Sequence, residues 1–120
     1  MSDEPTPAPL GKVEISPLAI ATIAAHAVTR SYGVVGMAPK NLVDGIATTI
    51  INDPHKGIDV HVDEGAIRID LYLIVEYGTR ISSVARSAAN TVHFSVERAT
   101  GLPVSEVNVY VQGLRVTSTD

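Results

Sequence analysis

The apolar positions along the chain change period several times, and each change marks an element. Val13 and Ile15 alternate with Lys12 and Glu14, which predicts a short first strand. Ser16-Pro17 then reads as a helix start, with a side-chain oxygen at the cap and a proline where its missing N–H costs nothing. The predicted helix runs to about Tyr32 and stops at Gly33. Its run Leu18-Ala19-Ile20-Ala21-Thr22-Ile23-Ala24-Ala25 is apolar nearly all round, so the helix is expected to be covered on more than one side, by the rest of the domain or by another subunit. Gly33-Val34-Val35-Gly36-Met37 is short for a regular element, although Val34–Met37 can pair as a minor strand. After Pro39, Leu42, Ile46, Ile50 and Val43, Ala47, Ile51 stack at i, i+4 spacing and predict a second helix, closed by the turn chemistry of residues 53–57.

The next segment is the most regular. Ile58, Val60 and Val62 alternate with Asp59, His61 and Asp63, and Ile67, Ile69, Leu71, Leu73 and Val75 alternate with Arg68, Asp70, Tyr72 and Glu76. A tight loop at Glu64-Gly65 sets Val62 opposite Ile67, Val60 opposite Ile69 and Ile58 opposite Leu71, so that one face collects the apolar side chains; a slip of one residue would undo this. The other face then has His61 opposite Arg68 and Asp59 opposite Asp70. A long helix follows from Thr79, the expected cap, to Thr100. Its apolar stripe is Ile81, Val84, Ala85, Ala88, Val92, Val96 and Ala99, with Arg86, Asn90, His93 and Glu97 outward, and Gly101 and Pro103 end it. A last strand begins near Ser105, with Val107, Val109 and Val111 on one face and Asn108, Tyr110 and Gln112 on the other. The apolar parity flips at Leu114, which predicts a bulge at Gly113. The fold class is α+β: a single small sheet in β-α-α-β-β-α-β order with an antiparallel central hairpin, packed on helices. The last strand is expected parallel to the one before it.

Composition narrows the function. The chain has 120 residues, 9 Lys+Arg against 13 Asp+Glu, a net charge of −4 and no cysteine. Disulfides and thiolate metal sites are excluded, and the mild acidity argues against a protein built to hold phosphate backbones. Residues 1–10, with Pro5, Pro7 and Pro9, are expected to be a disordered proline-rich tail; 11–117 form one domain and 118–120 a short second tail. No apolar run reaches membrane-spanning length and no secretory signal is present, so the expected location is cytoplasmic.

Candidate chemistry is sparse. His26, His55, His61 and His93 are the acid–base or metal material, and no pair of them has helical ligand spacing. His61 with Asp59, Asp63 and Asp70 is the densest cluster. It reads as a solvated sheet face with Arg68 diagonally between two carboxylates, the alternative being a weak divalent-cation site. Ser82 and Ser83 fall in the first turn of the long helix, where hydroxyls serve free amides, and no nucleophile motif surrounds them. No catalytic, cofactor-binding or metal residue is assigned. Gly33 and Gly36 bracket a G-x-x-G loop in an order reminiscent of a KH nucleic-acid module, but both middle residues are valine and a turn explains the glycines better. The positive expectation is an interaction patch of Tyr72, Ile74 and Tyr110, which point outward where a solvated sheet would carry charge.

Several segments together resemble the bacterial alkaline-shock, or envelope stress response, family, in particular its short YloU-like branch. They are Gly11-Lys12-Val13-Glu14-Ile15-Ser16; Tyr32-Gly33-Val34-Val35-Gly36-Met37-Ala38; residues 69–78, IDLYLIVEYG; Ile81-Ser82-Ser83-Val84-Ala85; and residues 107–116, VNVYVQGLRV. The resemblance implies a cytosolic, non-enzymatic protein that self-associates into homo-oligomers, some members being held at the membrane by a separate anchor protein. It also implies a second possibility, an accessory partner of a dihydroxyacetone-kinase-like fatty-acid kinase. It carries no catalytic residues to transfer and implies no cofactor.

Overall fold

The computed structural model describes residues 11, 13–39 and 54–116, and for 54 and 55 the backbone only. Residues Ala66–Glu76 form the strand on which everything else is assembled, β3. Before it come helix α1 (Pro17–Thr29), strand β1 (Val34–Met37), a 3-10 turn (Pro54–Gly57) and strand β2 (Ile58–Asp63); after it come helix α2 (Ile81–Thr100) and strand β4 (Val104–Arg115). The expected second helix and both tails lie outside the described residues.

The hairpin has the register that the alternation requires. Ile58 pairs with Leu71, Val60 with Ile69, Val62 with Ile67, His61 with Arg68 and Asp59 with Asp70. Its two-residue turn places both Glu64 (φ 50) and Gly65 (φ 80) in the left-handed region, the twist that matches two right-handed strands. β4 runs parallel to β3 along nearly its whole length, with Ile69 against Val107, Leu71 against Val109 and Leu73 against Val111. The register shifts between Leu73 and Ile74, where Gln112 is passed over: this is the bulge expected beside Gly113.

Because β4 occupies one edge of β3, β1 and β2 must share the other. β1 pairs antiparallel over Val34–Met37 against Leu73–Val75, and the Ala38 N–H donates to the Tyr72 carbonyl at 3.0 Å. β2 takes over at Leu71. The two short strands therefore make one edge, which the chain leaves after Ala38 and rejoins at Ile58. Gly57 closes the gap: a Cβ there would lie 2.8 Å from Met37 Cβ and 2.9 Å from the Ala38 carbonyl oxygen.

Both helices lie on one face of the sheet. On that face Ile67, Ile69, Leu71, Leu73 and Val75 of β3 are all fully buried, against Ile20, Ala24 and Val28 of α1 and Val84, Ala88, Val92 and Val96 of α2. The alanines of α1 let it sit close to α2 and the sheet. α1 buries Ile20, Ala21, Ala24, Ala25, Ala27 and Val28, while Leu18 is 66% exposed within the single chain. α2 ends at Gly101 in the left-handed conformation, as expected.

Three local expectations are corrected. Residues 13–16 are not a strand; they lead irregularly into α1, with the Ser16 hydroxyl capping Ala19 N–H at 3.1 Å. Alternation alone does not make a strand, and both edges of β3 already have partners. α2 is capped by Arg80 without a side-chain bond, because the Thr79 hydroxyl donates back to the Glu76 carbonyl at 2.7 Å. Ala99, near the end of the predicted stripe, is exposed.

Gly33 sits at φ 85 between α1 and β1, and a Cβ there would lie 2.6 Å from Val84 Cγ2. Gly33→Ala should therefore cost roughly 2–4 kcal/mol in urea unfolding, from the left-handed backbone and the overpacking together. The cost should be smaller in a Val84→Ala background; an equal cost there would show that the clash plays no part.

Candidate interaction surface

The face of the sheet turned away from the helices carries the polar half of each alternation. Read along β3, Arg68 lies between His61 and Glu106, Asp70 between Asp59 and Asn108, and Ile74 between Gly36 and Gly113, while Tyr72 stands beside Tyr110 and Glu76 beside Arg115. Antiparallel pairing on one side and parallel pairing on the other thus bring side chains from four strands into rows.

The expected juxtaposition of Tyr72 and Tyr110 is present. The rings stack at 5.0 Å between centroids with 15° between planes. Such a pair contributes about 0.5–1.5 kcal/mol beyond the area it buries. Tyr110 is 46% exposed, its strand having a neighbour on one side only among the described residues, whereas Tyr72 is half-buried. Ile74 departs from the expectation. It is 1% exposed within the single chain, and so offers no surface to a partner. The patch is carried by the tyrosines.

The polar rows are organised around Asp70, which is 9% exposed. Asn108 Nδ2 donates to Asp70 Oδ1 at 2.9 Å and to Glu106 Oε2 at 2.7 Å, and His61 Nε2 lies 3.8 Å from Asp70 Oδ2. Arg68 is exposed and stands opposite His61, as the expected register requires, with Glu106 on its other side. Asp59, His61 and Asp70 each offer a ligand atom within 4.8 Å of the others, a donor set that suits a divalent cation. Ligand bonds of about 2.0–2.2 Å would require these side chains to close further. Asp63 lies at the exposed turn end of β2 and is not part of this group.

The remaining candidates are structural. His93 and Glu97, expected to face outward, reach the first residue of β4: His93 Nε2 lies 3.1 Å from the Val104 carbonyl oxygen and Glu97 Oε2 accepts the Val104 N–H at 2.9 Å. One turn of α2 thus grips both backbone groups of Val104. His26 is exposed, and the His55 side chain lies outside the described residues. Gly33 is a turn residue, but Gly36 lies within β1 rather than in a loop, so the G-x-x-G segment is largely sheet. A shallow depression of about 260 Å³ is lined by Tyr32, Arg80, Ser83, Val84 and Ser87, with no histidine or carboxylate to activate either serine.

Residues 6–116 match the sequence profile of the ASP23 family, which has a cell envelope-related function. The chain belongs to this family. Among relatives, the chain is similar to the uncharacterized protein YloU of Bacillus subtilis (strain 168), 42% identical over 110 residues, 90% of this chain and 92% of that one. It is also similar to the uncharacterized protein Spy1614 of Streptococcus pyogenes serotype M6, 34% identical over 88% of this chain and 89% of that one. A third relative is the uncharacterized YqhY of Bacillus subtilis, 33% identical over 88% of this chain and 78% of its own. No solved structure matches significantly. None of these relatives' names carries an enzymatic activity, and the family profile names none.

Sequence reasoning missed Asn108 as the hydrogen-bond partner of Asp70 and the hold of His93 and Glu97 on Val104. The spacing of His93 and Glu97 by four residues near a helix end was the available signal. Glu97→Ala should leave the Val104 N–H without its acceptor and cost about 1–3 kcal/mol, read by chemical denaturation. A double-mutant cycle of Tyr72→Ala and Tyr110→Ala should give a coupling of about 0.5–1.5 kcal/mol, and a coupling of zero would remove the stack as a stabilising contact.

Proposed function

We propose that this chain is a non-catalytic, cytoplasmic scaffold of the envelope stress response that works by self-association and by contacts with other proteins. The observation that carries the reading is the stacked Tyr72–Tyr110 pair on the outer sheet face, with Tyr110 46% exposed at the edge. Aromatics placed in this way are the residues that anchor protein interfaces. Membership of a family with a cell envelope-related function supports the setting. Among the described residues no helix is long and apolar enough to cross a membrane, which is compatible with attachment to the envelope through a partner such as an anchor protein.

Light scattering on the full chain should give a multiple of the single-chain mass, and replacing Tyr72 and Tyr110 by Ser should lower it. Native pull-down with mass spectrometry should recover further copies of the chain or an envelope-associated protein. A stoichiometric kinase in the eluate would make the chain an accessory subunit instead. A single-chain mass at every concentration, with no protein retained, would overturn the reading.

A further inference from the structure

The outer edge of β4 has a chemistry of its own. β3 lies along one side of this 12-residue strand, and among the described residues no strand pairs with the other. In a parallel ladder, alternate residues direct both backbone groups to the same side. Ile67 N–H donates to the Pro103 carbonyl and Tyr77 N–H to the Arg115 carbonyl, and the register runs through Ile69–Val107, Leu71–Val109 and Leu73–Val111. This pattern turns the backbone groups of Asn108 and Tyr110 toward β3 and those of Val107, Val109 and Val111 away from it.

The same stretch lacks the features that protect natural edges. Residues 107–112 read Val-Asn-Val-Tyr-Val-Gln, with no charge, proline or glycine, and every second residue is β-branched. Edge strands are ordinarily guarded by lysine, proline or a bulge within the exposed run. Here the two register shifts lie at the ends, between Ile67 and Arg68 and between Leu73 and Ile74, so the segment from Glu106 to Val111 is straight. Val107, Val109 and Val111 are only half-buried, packed on the core from its margin.

We propose that this edge pairs antiparallel with the same edge of a second copy, about a two-fold axis through Val109, joining the two sheets into one. The inference rests on the self-association proposed above and gives it a surface. Val109 is the midpoint of the outward residues, so the axis places Val109 opposite Val109 of the second copy and Val107 opposite Val111. Every outward donor then meets an outward acceptor within the straight segment. The valines of the two copies close over the margin of both cores. On the outer face Asn108 falls opposite Tyr110 and Glu106 opposite Gln112, so no like charges meet. An axis moved by one residue would run Val107 or Val111 against a bulged position.

The test uses the full chain in analytical ultracentrifugation, with amide hydrogen exchange over the same concentration series. Dimers are expected, and exchange at Val107, Val109 and Val111 should slow as concentration rises. Val109→Pro removes a donor that pairs with nothing on β3, so the variant should fold and its dimer dissociation constant should rise roughly tenfold or more. If that variant fails to fold by circular dichroism, the exchange series on the native chain decides. Self-association that survives Val109→Pro, with these amides exchanging freely, overturns the edge pairing and leaves the scaffold reading standing. A chain that is single at all concentrations overturns both. Protection that does not depend on concentration would mean that the chain covers its own edge, and this too overturns the pairing.

Discussion

The inner face of β3 is the constraint on which the structure depends. Ile67, Ile69, Leu71, Leu73 and Val75 are fully buried under two helices, and the same strand is hydrogen-bonded on both edges. Period-two alternation makes this demand rigid, since a shift of one residue would send that entire set to the outer face and bring Asp70 and Tyr72 under the helices. The other described strands are arranged to meet β3 in register. A two-residue left-handed turn returns the hairpin, a single helix carries the chain over to the parallel strand, and β1 completes the edge where β2 ends.

This constraint has a second consequence. Among the described residues the two helices cover one face of the sheet, and the other face is held by cross-strand contacts of its own. The tyrosine stack, the Asn108 bridge between Asp70 and Glu106 and the His61 approach to Asp70 serve this purpose. They form a surface, not a cleft. The shallow depression beside Tyr32 and Arg80 brings no base to its serines.

Much of this was legible in the residues. The hairpin register and the bulge beside Gly113 follow from alternation and from where it breaks, because the penalty for burying polar side chains leaves one solution, and the parallel last strand follows from the helical crossover before it. What alternation cannot reveal is whether a partner edge is free: Val13 and Ile15 alternate as well as Ile58 and Val60 do, yet only the second pair belongs to a strand. Nor does period two say which outer residues are enclosed. Tyr110 and Ile74 look equivalent in sequence, yet Tyr110 is 46% exposed and Ile74 1%. His93 and Glu97 were misplaced for a related reason, since their acceptor and donor belong to a residue that only the tertiary fold brings alongside.

The claim that the sheet's outer face and open edge do the work is tested most directly by following backbone amide chemical shifts of the full chain as it is diluted. The account predicts that concentration-dependent shifts concentrate at Tyr72, Asn108, Val109 and Tyr110, with the helices unaffected. Shifts gathered instead around Tyr32, Arg80 and Ser83, or none anywhere, would contradict it.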